Sequence, residues 1–170
     1  MELMHKRKWI RAKKKYVVLC ICALSLTTAF AQSAGVDAYS PQELERLAQP
    51  LHAQADAGNG TATRILANYP GHYTMIVYRD KDGEVEVHQR FTDIILVMSG
   101  NATLITGGST QNGKVVKPGE IRGTSITGGS QSKLEKGDLV HIPANTPHQL
   151  LIPPGNSITY ITIKVETPAS

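Results

Sequence analysis

The spacing of apolar residues divides the chain into a short helical part and a longer strand-rich part. Ser40-Pro41-Gln42-Glu43 has the spacing of a capping box with proline at the first helical position. Apolar residues then recur at helical spacing, at Leu44, Leu47, Ala48 and Leu51. Pro50 is expected to break or kink this helix, and a second short piece is expected to end at Gly58-Asn59-Gly60. The pattern therefore predicts an N-terminal arm with short helices over 32–71.

From residue 73 onward the pattern becomes that of short strands. The predicted strands are 73–79, 84–91, 94–98, 102–106, 134–142, 149–152 and 157–165. Asp82-Gly83 lies between the first two and is a strong hairpin signal. The polar stretch 107–132, rich in Gly, Ser and Thr, is too long for a simple turn, and we interpret it as a flap over a barrel mouth. Short strands with regular turn signals predict an all-β sandwich or barrel.

The first 31 residues show the three parts of a secretory signal peptide. Residues 1–15 contain seven Lys or Arg against one Glu, residues 16–31 are uncharged and mostly apolar, and Ala29-Phe30-Ala31 offers small residues at the cleavage positions. We expect cleavage after Ala31 and a periplasmic or secreted protein with no stable membrane anchor. An uncleaved anchor is the alternative, although about sixteen apolar residues are fewer than the roughly twenty of a membrane span.

Removal of this segment changes the sign of the net charge. The whole chain has 18 Lys and Arg against 14 Asp and Glu, and the segment contains 7 and 1 of these, which leaves 11 and 13, or a charge near −2. The basic character therefore belongs to the leader and is no evidence for nucleic-acid binding. Cys20 and Cys22 also lie in the segment, so the remaining chain has no disulfide and folds as one domain by core burial alone.

Four side chains are candidates for a shared site. Glu86 and His88 are two residues apart on one predicted strand and share a face, and Asp93 begins the next strand. His148 follows a rigid turn that contains Pro143. Because a barrel brings distant strands together, these groups could converge. Mixed nitrogen and oxygen donors suit a divalent ion of Fe, Mn, Zn, Ni or Cu.

Other residues are weaker candidates for lining the same pocket. Pairing across the predicted hairpin puts Met75 and Arg79 on the face of Glu86. Arg122 would reach an anionic ligand if the glycine-rich stretch closed, and a solvated loop arginine is the alternative. His141 faces either the pocket or solvent.

The last predicted strand has an apolar and a polar face. Ile161, Ile163 and Val165 alternate with Tyr160 and Lys164. We interpret Tyr160 and Lys164 as outward-facing residues.

The segment 137–148 resembles the second signature motif of the cupins. Gly137, Pro143 and His148 match that motif in spacing. Asn145 replaces its inner glycine, and asparagine is the residue after glycine that best tolerates a left-handed backbone. Ile152 stands in place of the final asparagine.

The first cupin motif is present in a degenerate form. Glu86 stands where the family has its first His, His88 fills the second His position, Asp93 stands at the Glu position, and Gly100 matches the final Gly. The resemblance covers roughly 72–165. It implies a cupin-type double-stranded β-helix, a jelly-roll barrel, after a short N-terminal helical segment.

The resemblance also implies a metal, since the family's ligands are three His and one Glu. His88 and His148 are unchanged, and Asp93 and Glu86 are chemically competent substitutes. The alternative is a metal-free cupin in which Glu86 pairs with Arg79 across the hairpin and both histidines are hydrogen-bonded pocket residues.

Three functional hypotheses follow, because fold does not fix function. The first is a metal-dependent enzyme of the oxygenase, isomerase or lyase type that acts on a small polar or carbonyl metabolite. The second is a non-catalytic periplasmic protein that binds a small ligand. The third is a largely structural homodimer, since cupins often pair through their sheets.

Overall fold

The computed structural model describes residues 35–167, and the predicted signal peptide lies outside them. The described part contains one helix and twelve strands: α1 (Pro41–Asp56), β1 (Thr61–Tyr69), β2 (His72–Arg79), β3 (Val85–His88), β4 (Phe91–Thr106), β5 (Ser109–Gln111), β6 (Lys114–Lys117), β7 (Glu120–Gly123), β8 (Ser125–Thr127), β9 (Ser130–Glu135), β10 (Leu139–Ile142), β11 (His148–Leu151) and β12 (Ile158–Glu166). Within this part of the chain, no helix has both the length and the apolar character needed to cross a membrane.

Helix α1 begins where the capping signal predicted and runs without a break. Ser40 is the N-cap, and its hydroxyl accepts a hydrogen bond of 3.2 Å from the backbone N–H of Glu43. The predicted break at Pro50 is wrong, since the helix continues to Asp56. Leu51 and Ala55 are buried beyond the proline, so packing of this face outweighs the one backbone hydrogen bond that Pro50 removes.

Two antiparallel sheets share the sixteen-residue strand β4. One half of β4 pairs with β12 and β10, in a sheet of order β1-β2-β12-β4-β10, and the other half pairs with β9 and β11, in a sheet that continues to β3, β7 and β6. Strands distant in sequence are thus neighbours, as in a jelly roll. The prediction of an all-β jelly roll with a short N-terminal helical segment is confirmed. Its first strand, β1, already lies within the predicted arm 32–71.

Gly100 lies at the point where β4 passes from one sheet to the other. Its φ is 77°, and a Cβ there would overlap the carbonyl oxygen of Ser157. Glycine alone adopts a positive φ without strain and has no Cβ to overlap Ser157. This explains why Gly100 matches the glycine at the end of the first motif. Asn145 has a φ of 63°, so the predicted left-handed turn is present in the second motif.

The hairpin predicted across Asp82-Gly83 is wrong. Strand β2 pairs with β1 and β12, whereas β3 pairs with β7 and β11. The segment between them crosses from one sheet to the other. Gly83 donates its N–H to the Leu150 carbonyl at 2.8 Å, and Asp82 accepts from the Ile152 N–H at 2.7 Å. The turn residues therefore anchor a crossover to β11 rather than close a hairpin.

The stretch 107–132 forms regular strands rather than one irregular flap, and β5 pairs with β8 in a separate two-stranded sheet. It contains β5 to β8 and the start of β9. Strand β7 pairs with β3 and so belongs to the barrel wall. The β-branched residues of this stretch form strands and its glycines separate them, so an apparently low-complexity segment builds regular structure.

The core has two parts, one on each side of the first sheet. One cluster fills the space between the sheets and includes Val77, Val97 and Ile158. The other lies between α1 and the outer face of the sheet and includes Leu51 and Ile76. Because α1 covers the outer face, apolar residues are required there, and the inner face is free to carry polar side chains at the site.

Candidate metal and ligand site

Three strands bring the four candidate ligands to one point inside the barrel. Glu86 and His88 come from β3, Asp93 from the start of β4 and His148 from the start of β11. His148 pairs directly with Glu86 in the sheet, which places the two side chains next to each other. The two histidines and Asp93 are buried, and the Glu86 side chain is 25% exposed.

Donor atoms of Glu86, His88 and His148 all lie within 4.8 Å of one another. The Nε2 of His88 is 3.1 Å from Oε2 of Glu86. Oδ2 of Asp93 lies 3.5 Å from the Nε2 of His88 and 3.7 Å from that of His148. The structure therefore brings all four predicted ligands together.

The second nitrogen of each imidazole is held by an acceptor. Nδ1 of His88 is 2.7 Å from Oε2 of Glu120, and Nδ1 of His148 is 3.0 Å from the carbonyl oxygen of Thr146. A carboxylate and a carbonyl only accept, so each Nδ1 donates, and in the neutral imidazole the Nε2 lone pair faces the site. Among the described residues, the buried Nε2 of His88 has no hydrogen-bond partner. This is the orientation of imidazoles that bind metal.

Burial and neighbouring charges favour the protonation states of ligands. Burial lowers the pKa of His148 from its ordinary value, and this effect outweighs the opposing influence of the Thr146 carbonyl and the nearby carboxylates. Burial alone would raise the pKa of Glu86, but the adjacent His88 imidazole, 3.1 Å away, and the charge of Arg122 hold it far below the usual range. His148 is thus neutral and Glu86 ionised at neutral pH.

Asp93 forms an ion pair with Lys164, a residue that the sequence pattern predicted to face outward. Nζ of Lys164 is 2.6 Å from Oδ2 of Asp93, and both side chains are 5% exposed. The prediction that Tyr160 and Lys164 face outward is wrong, because both are buried on the inner face of β12. Ile161 faces the helix side and packs against its cluster. The alternation of apolar and polar residues in β12 is visible in the sequence. Which of the two sets faces the barrel interior depends on which face of the sheet α1 covers.

Glu120 is a site residue that the sequence analysis missed. It lies on β7 and accepts from both His88, as described, and Nη1 of Arg122, at 3.0 Å. Arg122 also places Nη2 3.8 Å from Oε2 of Glu86. The pairing of β7 with β3 fixes the position of Arg122. Arg122 therefore belongs to the barrel wall and is not a solvated loop residue. An acidic and a basic residue two apart, before Gly123, were the only signal.

The remaining pocket candidates separate into two groups. Arg79 and Met75 line the interior, and Nη2 of Arg79 is 3.6 Å from Oε1 of Glu86. This contact crosses the barrel interior between the two sheets and does not follow hairpin pairing. His141 is exposed and lies opposite Ile94 on the outside of the barrel, so it does not line the pocket.

A cavity of about 250 Å³ opens beside these side chains. Residues that border it come from both sheets and include charged, hydroxyl and apolar groups: Thr61, Thr63, Tyr73, Met75, Val77, Arg79, Glu86, His88, Glu120, Arg122, Tyr160 and Lys164. The site is therefore an accessible polar hollow of a size suited to a small molecule.

No family model matches the chain, and no curated protein matches it. Among solved structures, the chain is similar to a cupin 2 conserved barrel domain protein from Rhodopseudomonas palustris, at 16% identity over 65% of this chain and 63% of that chain with a TM-score of 0.46. It is also similar to KdgF from Halomonas sp., at 19% identity over 66% and 86% with a TM-score of 0.47. A cupin-2 domain from Rhodospirillum rubrum gives 12% identity over 65% and 63% with a TM-score of 0.47.

The strand pairing of the described residues places β12 between β2 and β4 and β11 between β3 and β4. The first signature motif spans β3 and the first part of β4, and the second spans β10 and the turn that leads to His148 at the start of β11. The chain has the cupin fold that its motifs predicted.

Proposed function

We propose that this chain is an exported cupin that binds one divalent transition-metal ion through Glu86, His88 and His148 and holds a small polar or carbonyl metabolite beside it. One observation carries the proposal. The donor atoms of the three residues lie within 4.8 Å of one another, and the Nε2 of His88 is buried without a hydrogen-bond partner among the described residues. A buried, unsatisfied imidazole nitrogen is costly unless a ligand completes it.

The donor set fits such an ion. Two imidazole nitrogens and one carboxylate oxygen match the sites of divalent Fe, Mn, Zn, Ni or Cu. Ligands at 2.0–2.2 Å from one ion lie about 3 Å apart when they are at right angles. The 3.1 Å between His88 and Glu86 is already of this size.

A bound ion would supply Lewis acidity toward a carbonyl or carboxylate oxygen of the metabolite. The residues of the chain would supply orientation around it. Glu120 fixes the tautomer and ring plane of His88, and the Thr146 carbonyl does so for His148. These positions are rigid because β3 is paired with β7 and β11, and the turn before β11 is tied to β3 by the hydrogen bond from the Asn145 N–H to the His88 carbonyl, at 2.8 Å.

The test is the metal content of the purified full chain, measured by plasma mass spectrometry after reconstitution with each ion and removal of excess. We expect about one ion per chain in the wild type and less than a tenth of that in His88→Ala and His148→Ala. His141→Ala is the matched control, since His141 is exposed on the outer face. Absence of stoichiometric metal from the wild type, or full occupancy in His88→Ala, would contradict the proposal.

A metal-free binding protein is the second candidate, and the charges of the site favour it. Arg79, Arg122 and Lys164 face the carboxylates of Glu86, Asp93 and Glu120, so the cluster is balanced without an ion. Such a protein would bind its ligand equally well in the presence of a chelator. Calorimetry of a ligand found by metabolite screening, with and without the chelator, separates the two candidates.

Export is part of the proposal and is supported by the charge and hydropathy of residues 1–31. Expression of the full chain in a bacterial host, followed by fractionation and intact-mass measurement, tests it. We expect a periplasmic product that begins at Gln32. A cytoplasmic product of full-length mass would contradict export and leave the metal site unaffected.

A further inference from the structure

Arg79 is a buried guanidinium whose donors are only partly used. The residue is 8% exposed, and its Nε is buried without a hydrogen-bond partner among the described residues. Its nearest carboxylate, in Glu86, is 3.6 Å away and so beyond hydrogen-bond distance. The Tyr160 hydroxyl is its neighbouring partner. A buried arginine normally has its donors satisfied, so the hollow beside it has room for an acceptor.

The charges around the cavity indicate what that acceptor carries. Three cations and three carboxylates cancel within the site, with the imidazoles counted as neutral ligands. The divalent ion of the proposed function would leave two positive charges in the barrel interior. Net charge in a low-dielectric interior is costly unless it is paired. A ligand with two negative charges would restore the balance.

We propose that the site binds a small dicarboxylate, one carboxylate of which is held by Arg79 while the other faces Glu86, His88 and His148. This inference rests on the proposed function for its second carboxylate. A guanidinium is planar and presents paired N–H donors that match the two oxygens of a carboxylate. Arg79 and His88 border the same cavity of about 250 Å³, which limits the ligand to a few carbon atoms.

The residues that border the cavity have the charge and polarity to bind a short, flexible dianion. Lys164, from the first sheet, and Arg122, from the second, border the cavity and add positive potential. Tyr160, which burial and its surroundings keep in the neutral phenol form by raising its pKa, adds a hydroxyl. Met75 and Val77 supply the apolar surface for a short carbon chain.

Calorimetry of the zinc-loaded full chain, dialysed to remove free zinc, tests the proposal with malonate as the probe. Malonamide is the neutral isostere and acetate the monoanion. We expect malonate to bind at least tenfold more tightly than either compound. Arg79→Gln should lower malonate affinity at least tenfold, without loss of zinc or of the folded circular-dichroism spectrum. Arg64→Gln is the matched control, since Arg64 is exposed on the adjacent strand β1, and it should bind malonate as the wild type does.

Equal affinity for malonate and malonamide, or unchanged malonate binding by Arg79→Gln, would overturn the inference. Failure of the proposed function gives a different result. Malonate binding that depends on Arg79 in a wild type that takes up no metal would contradict the metal site and uphold the carboxylate site. Stoichiometric zinc without malonate binding would uphold the metal site and overturn the dicarboxylate.

Discussion

Lys164 and Asp93 form a buried ion pair beside the two imidazoles, with Nζ 2.6 Å from Oδ2. The same Asp93 oxygen is 3.5 Å from the Nε2 of His88. It is therefore near enough to serve as a fourth ligand but is already occupied by an ammonium group. The chain thus keeps three donors available to an ion and leaves the remaining coordination positions to water or ligand.

Replacement of Lys164 by methionine should release Asp93 to the metal. We expect Lys164→Met to bind zinc about tenfold or more tightly than the wild type, as measured by competition with a chromophoric chelator. The metal-free variant should be destabilised by about 3–5 kcal/mol, because it leaves a buried carboxylate unpaired. Zinc should recover most of this loss. Lys133→Met, at an exposed position, is the control, and an affinity that stays unchanged in Lys164→Met would refute the role of the ion pair.

Glu120 should strengthen the metal site without contacting the ion. It accepts the Nδ1 hydrogen bond of His88 at 2.7 Å, and loss of such outer carboxylates typically weakens metal binding about 10- to 100-fold. We expect Glu120→Gln to fall in this range in the same chelator competition. Glu135→Gln, on the exposed side of β9, should have no effect. If Glu120→Gln binds zinc as the wild type does, Glu120 serves only to hold Arg122.

Stability of the metal-free protein should fall as the medium becomes acidic. Burial lowers the pKa of His148 below its ordinary 6.5, so the unfolded chain takes up a proton before the folded chain does. Protonation therefore favours unfolding as the pH falls through 6.5 toward the folded-state pKa. Urea denaturation in EDTA at pH 7.5 and 5.5 should show a smaller loss for His148→Gln than for wild type. His141→Gln should keep the wild-type difference, and equal losses in all three proteins would show that another group is responsible.

Comparison of alanine substitutions at Gly100 and Gly71 should distinguish the cost of backbone strain from the cost of steric overlap. Both have positive φ, 77° and 79°, but a Cβ meets Ser157 at the first and open space at the second. We expect Gly71→Ala to cost about 1 kcal/mol and Gly100→Ala several times more, by urea denaturation. Equal costs would mean that the Ser157 backbone moves aside at little expense.

Local patterns predicted the parts of the site that depend on one strand or one turn. The two-residue alternation placed Met75, Val77 and Arg79 on one face, and motif spacing selected His88 and His148. The spacing of Gly137, Pro143 and the left-handed Asn145 determined the turn before β11, and this turn needs no distant partner.

The missed features depend on contacts between distant segments. Glu120 enters the site only because β7 pairs with β3, and Lys164 faces inward only because α1 covers the opposite side of the sheet. Asp82-Gly83 has the chemistry of a tight turn, yet its hydrogen bonds are made to β11. Pairing across such sequence distances is decided by global packing, which no local window contains.

Strand β4 has one further consequence. Because one continuous strand supplies the centre of both sheets, neither sheet can separate without breaking the pairing of the other. Opening of the barrel should be a single cooperative event, and amide hydrogens of β11 and β12 should exchange with solvent at the same free energy. The hollow beside the candidate ligands would then be lost only with global unfolding, so the protein keeps its site intact for as long as it is folded at all.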